Sequence, residues 1–249
     1  MARYDQIGSN YASRRGEDPV LRDRIWAAIS GAETVVNVGA GAGSYEPRDL
    51  DVTAVEPSAV MAAQRIAERP AIRADATDLP LHDASVDAAM TVLSLHDWHP
   101  NQRRGVRELC RVARKSVVIV TIDPTVSGKM WLMADYLTEV RDLDHEIFPS
   151  PEVVAAWLDC DATVEVIPVS RDTPDHSLLS FWAHPERVLD PAARAATSGF
   201  ARQPPEVVNR VVEAVRTDLE SCAWDSAHGN LRGLDTFDAG LRIIHGRLS

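Results

Sequence analysis

The sequence predicts an α/β protein: a doubly wound, mostly parallel, seven-stranded sheet with helices on both faces and a helical cap inserted before the last strand. Three observations carry this. Short, apolar, β-branched runs recur along the first two thirds of the chain, as in strands covered on both faces. Helical stretches separate them, the alternation that builds parallel βαβ units. The strand rhythm then stops at Arg171 and returns only at "AGLRIIHGRL" (239–248).

Taken in order, Asp18-Pro19 starts a helix running to about Ser30, since proline is tolerated at the first helical position and Gly31 can end it. Thr34 to Val38 is the first buried strand. A helix is hard to place after it, because Pro47 interrupts the pattern early. Val52 to Val55 is the second strand and ends at Glu56-Pro57. Ser58 is placed to cap a helix of about Ala59 to Glu68. Ala71 to Ala74 reads as a short third strand and "SVDAAMTVLSL" (85–95) as a long fourth. A helix follows from about Gln102 to Ala113, weakened by Gly105. "SVVIVTID" (116–123) is the clearest strand. Helices over about 129–141 and 151–159 precede a sixth strand, "TVEVIPVS" (163–170). The organisation expected is one domain over 1–249: an opening segment of about 1–30, a core of 31–170, a cap of 171–237 and a last strand in 238–249.

Composition narrows the function. The formal net charge is −11, so no broad positive field attracts phosphate backbones, and nucleic acid is not expected as a partner. Arg103, Arg104 and Arg107 read as one solvated helix face. Cys110, Cys160 and Cys222 lie far apart with no paired CxxC, which argues against a disulfide framework or a zinc site and fits a reducing cytoplasm. The first residues lack an apolar signal core, and no apolar run approaches the ~20 residues a bilayer requires, so no membrane association is expected. A monomer or a homodimer is anticipated.

The most specific stretch is "VVNVGAGAGSYE" (35–46). Gly39, Gly41 and Gly43 follow directly on a buried strand. In open parallel sheets ligands sit beyond the carboxyl ends of the strands, and glycine there lets the main chain approach them closely. Glu56 ends the next strand, where a carboxylate can accept both hydroxyls of a ribose. Asp75 ends the third, beside an adenine edge. A tight turn explains the glycines alone, and helix capping explains either acid alone; all three in register point to an adenosine ligand. The G-x-G-x-G spacing, with Glu46 and Pro47 following, departs from the dinucleotide fingerprint and suits a cationic ligand tail better than a pyrophosphate.

These blocks, with "VTAVEPS", "RADATDLPLHDASVDAAMTVLSLHDWHP" and "VVIVTID", resemble the class I S-adenosylmethionine (SAM) dependent methyltransferases in their small-molecule, UbiE-like branch, over about residues 1–170. The resemblance implies a Rossmann-like fold, SAM as cofactor and methyl transfer to a small molecule. It places Gly39, Ala40, Gly41 and Gly43 beneath the amino-acid end of SAM, Glu56 and Pro57 at the ribose, Asp75 and Ala76 at the adenine, and Leu93 and Ser94 beside the sulfonium. It makes the opening segment a cover over the cofactor, with Tyr4, Tyr11 and Arg14 at its entrance. Asn37 stands where an acidic residue is usual, which leaves the ammonium end with less charge.

Methyl transfer needs the acceptor held ~3–3.5 Å from the methyl carbon, and many acceptors need a base. "LHDWHP" after the fourth strand offers His96 as base, Asp97 as its orienting partner and Trp98 as a stacking surface; turn and capping roles explain Asp97 and His99 equally. His96-x-x-His99 lacks a third ligand in sequence, so no metal is expected. Trp131, Asp135 and Tyr136, with Phe181 and Trp182 from the cap, are candidate acceptor contacts, and an amphipathic core stripe or a cap anchor is the other explanation. His145 and His176 are expected on the surface. Oxygen is the expected acceptor atom. A SAM-fold protein without methyl transfer and, further off, an NAD-dependent oxidoreductase are the competing readings.

Overall fold

The computed structural model describes residues 16–248. Seven strands form one sheet in the order β3-β2-β1-β4-β5-β9-β6: β1 Thr34–Val38, β2 Asp51–Val55, β3 Ala71–Ile72, β4 Val86–Val92, β5 Ala113–Ile122, β6 Asp161–Val166 and β9 Leu241–Arg247. The first five pair in parallel, and β9 enters antiparallel between β5 and β6. This is the expected doubly wound sheet with its last strand returning from the cap.

Side-chain alternation along β1 divides the interior. Val35 points into a layer beneath Pro19–Ala28 and the cap, while Val36 and Val38 point into a layer beneath Gln102–Val112 and Pro151–Trp157. Both layers are apolar, and Val35, Val36, Val117 and Ile119 are fully buried. The cap holds the helices Pro191–Ala195, Ser198–Ala201, Pro205–Glu220 and Ala223–His228. It contributes Phe181, Trp182 and Trp224 to the first layer.

Several boundaries differ from expectation, each for a local reason. The helix after β2 is only Ala59–Ala62. Beyond it the chain is tied by arginines rather than by helical bonds: Arg65 donates through Nε to Arg69 O (2.9 Å), and Arg69 through Nη1 to Pro47 O (2.9 Å). Where a helix is expected over 129–141 the chain forms a π-turn at Leu132–Tyr136 and then the helix Thr138–Ile147, with Trp131 and Tyr136 committed to the cap; a separate short helix, Pro124–Ser127, precedes them. The sixth strand stops at Val166, since Pro168 has no N–H for the ladder. Val169–Ser170 (β7) then pairs antiparallel with Thr236–Phe237 (β8) in a small ribbon outside the main sheet, a pairing the sequence pattern did not suggest. Among the described residues no helix is long and apolar enough to cross a membrane.

Candidate active site

The carboxyl ends of β1, β2 and β4 open on one cavity of about 490 Å³. Its floor is the first turn. Gly39 has φ +71° and donates to Val55 O (2.9 Å); a Cβ there would lie 2.0 Å from Ser94 Oγ. Ser94 is itself braced, its Oγ 2.8 Å from Thr91 Oγ1 and donating to Val38 O (3.3 Å). Glycine at 39 is therefore what lets the ends of β1 and β4 meet beneath a ligand.

Glu56 is buried at the end of β2. Its Oε2 accepts from Gly41 N (2.8 Å) and its Oε1 from Ser58 N (2.7 Å). Each oxygen keeps lone-pair capacity toward the cavity. Burial pushes its carboxyl above the usual glutamate range, and the two N–H donors oppose that rise. Asp75 lines the cavity at the end of the third turn, where its Oδ1 accepts from the backbone N (2.8 Å) and hydroxyl (2.7 Å) of Thr77; Ala76 is buried beside it.

Asn37 supplies an orphaned polar atom. Its Nδ2 donates to Glu46 Oε1 (3.0 Å), and its Oδ1 is buried with no hydrogen-bond partner among the described residues. Glu46 does not present charge to the cavity as anticipated: it is buried, with Oε2 2.8 Å from Arg65 Nη2. Gly43 differs too. It lines no part of this cavity; its N–H closes a turn on Ala40 O (2.9 Å), and a Cβ there would crowd Arg65 at 3.1 Å.

Asp97, Trp98 and His99 line the same cavity beyond Leu93 and Ser94. Trp98 packs on Gly105 of Gln102–Val112, where an added Cβ would come within 2.5 Å of its ring. The glycine that weakened the predicted helix thus makes room for this ring. His96 is not in this cavity. It is buried, stacked on Phe148 with ring centroids 4.6 Å apart, and its Nε2 lies 3.5 Å from Asp97 Oδ2. His99 Nδ1 sits 3.2 Å from Gln102 Nε2.

The candidate acceptor contacts Trp131, Tyr136, Phe181 and Trp182 lie away from this cavity. All four are buried inside the cap and its junction with the core. Trp131 Nε1 donates to Trp182 O (3.0 Å), Tyr136 Oη donates to Asp218 Oδ2 (2.6 Å), and Asp135 pairs with His228 at 3.0 Å. None of the five lines the cavities described here, so the cap-anchor explanation accounts for them. Tyr4, Tyr11 and Arg14 lie outside the described residues.

Two smaller cavities adjoin the first, and Leu93, at φ +52°, lines all three. One, of about 80 Å³, is bounded by His96, Asp144, Phe148 and Arg202. The other, of about 20 Å³, is bounded by Asp175 and Leu179. Asp144, Asp175 and Arg202 were not anticipated. Nothing local marks them, because contacts across the whole chain bring them to the site. Tyr45 was also missed: at φ +66° its hydroxyl accepts from Asp18 N (3.0 Å) and lies 3.5 Å from Asp175 Oδ2.

Residues 36–121 match the family model described as a methyltransferase domain. The chain is similar to a crystal structure described as a methyltransferase from an antibiotic biosynthesis pathway of Anabaena variabilis, at 25% identity and TM-score 0.87 over 94% of this chain and 99% of that one. It shares its fold with a SAM-dependent methyltransferase from Thermotoga maritima, at 14% identity and TM-score 0.58 over 99% and 98%. It also shares it with a phosphoethanolamine N-methyltransferase of Haemonchus contortus solved with S-adenosylhomocysteine, at 12% identity and TM-score 0.57 over 98% and 56%. A search of curated proteins found no match.

Proposed function

For a chain that is a class I SAM-dependent methyltransferase of the UbiE-like type, we propose that the acceptor is a small molecule and the methylated atom an oxygen. The observation that carries the proposal is Asp97. Its carboxylate lines the large cavity just past Leu93 and Ser94, within 3.5 Å of both His96 Nε2 and Arg202 Nη2. A hydroxyl acceptor must lose a proton as its oxygen is alkylated, and a carboxylate held in that place accepts it.

The described residues fit SAM. Glu56, with its two N–H donors already fixed, accepts from the ribose hydroxyls, and Asp75 and Ala76 border the adenine. The unpaired Oδ1 of Asn37 accepts from the methionine ammonium, while Glu46 and Arg65 hold the amide in that orientation. Gly39, Ala40, Gly41, Leu93 and Ser94 shape the wall along the methionine chain. Bound SAM supplies an electrophilic methyl group on sulfur. The protein's part is to hold the acceptor oxygen in line with it, a positioning effect that can account for most of the rate.

The net charge of −11 supports a small acceptor rather than a nucleic acid. The cysteines are unpaired, which fits a reducing cytoplasm. The test is incubation with tritiated SAM and a panel of small hydroxylated, amino and carbon acids. Label on hydroxyl acceptors, lost in Asp97→Asn with SAM binding retained, is the expected result. Tight SAM binding without label on any acceptor favours a protein that holds the cofactor for another purpose, and micromolar binding of NAD in place of SAM overturns the assignment.

A further inference from the structure

The 80 Å³ cavity beneath Leu93 is built around a cation. Arg202, following Ser198–Ala201 in the cap, lines it, and the Nε and Nη2 atoms of its guanidinium are buried with no hydrogen-bond partner among the described residues. Its nearest acid among the described residues is Asp97, whose Oδ1 stands 3.5 Å from Nη2, an ion-pair distance without a hydrogen bond. Unsatisfied buried N–H groups on a charged side chain are costly and call for an acceptor. No side chain of the wall takes up these two atoms: Phe148, Leu178 and Leu179 are apolar, His96 is stacked on Phe148, and Ser177, Thr197, Ser198 and Gln203 make no hydrogen bond to Arg202 Nε or Nη2. Asp144 lies in the same wall, and burial raises its carboxyl to about 7 in spite of Arg202, so near neutrality it is partly a neutral acid able to donate.

Size sets what enters. Sites for whole drug-sized ligands run roughly 300–1,000 Å³, and this one is about 80 Å³. It admits one end of a molecule, and Leu93 is a wall that it shares with the large cavity assigned above to the cofactor. Two N–H groups of one guanidinium plane match the two oxygens of a carboxylate.

We propose that the methyl acceptor carries a carboxylate, which seats on Arg202 in this cavity while the hydroxyl to be methylated remains on the cofactor side of Leu93. This rests on the methyl-transfer reading above. Arg202 is a specificity-determining residue in this account; it recognises the acceptor and takes no proton.

The test is calorimetric titration of 4-hydroxybutanoate, and of its uncharged counterpart 4-hydroxybutanamide, into protein saturated with S-adenosylhomocysteine. Expected is binding of the acid at least tenfold tighter than the amide, a preference abolished in Arg202→Gln and reduced in Arg202→Lys, with affinity for S-adenosylhomocysteine close to wild type in both. Equal binding of acid and amide, no measurable binding of the acid, or a preference that survives in Arg202→Gln overturns the inference. Failure of the wild-type protein to bind S-adenosylhomocysteine strikes instead at the cofactor reading. Should Arg202→Gln misfold, the lysine variant carries the test: it keeps the charge and loses the fork, and an undiminished acid preference overturns the proposal.

Discussion

Glu56 shows how much one side chain carries. Its two oxygens are each fixed by a backbone N–H at the edge of the large cavity, where the proposed cofactor site has its ribose. Glu56→Gln keeps the shape and loses the charge, and hydrogen bonds to charged groups are worth about 1.5–3 kcal/mol. Affinity for S-adenosylhomocysteine should therefore fall by roughly ten- to a hundredfold in calorimetry. Because burial raises the Glu56 pKa, wild-type affinity should also decline on acidification before an ordinary glutamate would titrate, and the variant should lack that decline. Glu56 and Gly39 were legible in the sequence because local demands fix them: a strand end, a positive φ, a carboxylate one turn away. Arg202 and Asp144 were not. Neither belongs to a motif: Asp144 comes from the helix Thr138–Ile147 and Arg202 from the cap, and only the tertiary fold brings them to one cavity.

At the scale of elements, the strand alternation and the glycine turn were readable from period and composition, since burial on both faces leaves few residue choices. The breaks were not. The π-turn at Leu132–Tyr136 and the short helix after β2 arise where tertiary contacts override a good helical pattern. Residue type likewise shows that Trp131, Tyr136, Phe181 and Trp182 carry large rings but not which way they face. Tyr136 pins the π-turn to Pro205–Glu220 through Asp218. Tyr136→Phe removes that bond and should cost about 1 kcal/mol, seen as a melting temperature lower by a few degrees. Affinity for S-adenosylhomocysteine should be unchanged; a marked loss would return Tyr136 to the ligand site.

Across the whole molecule, stability is tied to pH through Asp144, on the helix Thr138–Ile147, which lines the same cavity as His96 and the cap residue Arg202. Its folded pKa of about 7 lies above the ordinary value of 3.8, so between those values the folded protein binds the extra proton. The stability this gives is complete below the ordinary value and is lost as pH rises through about 7. Asp144→Asn removes the titration. The melting temperature of the variant relative to wild type should climb between about pH 5 and about pH 8, and a flat difference across that range would show that the carboxyl is not strained by burial.

The ring of Trp98 and the bare backbone at Gly105 share one space. A lineage that gains even a methyl group at 105 must trim the ring at 98, so the two positions are expected to drift together. The width of the chamber is in that sense recorded twice along the chain, once in its wall and once on the helix behind it.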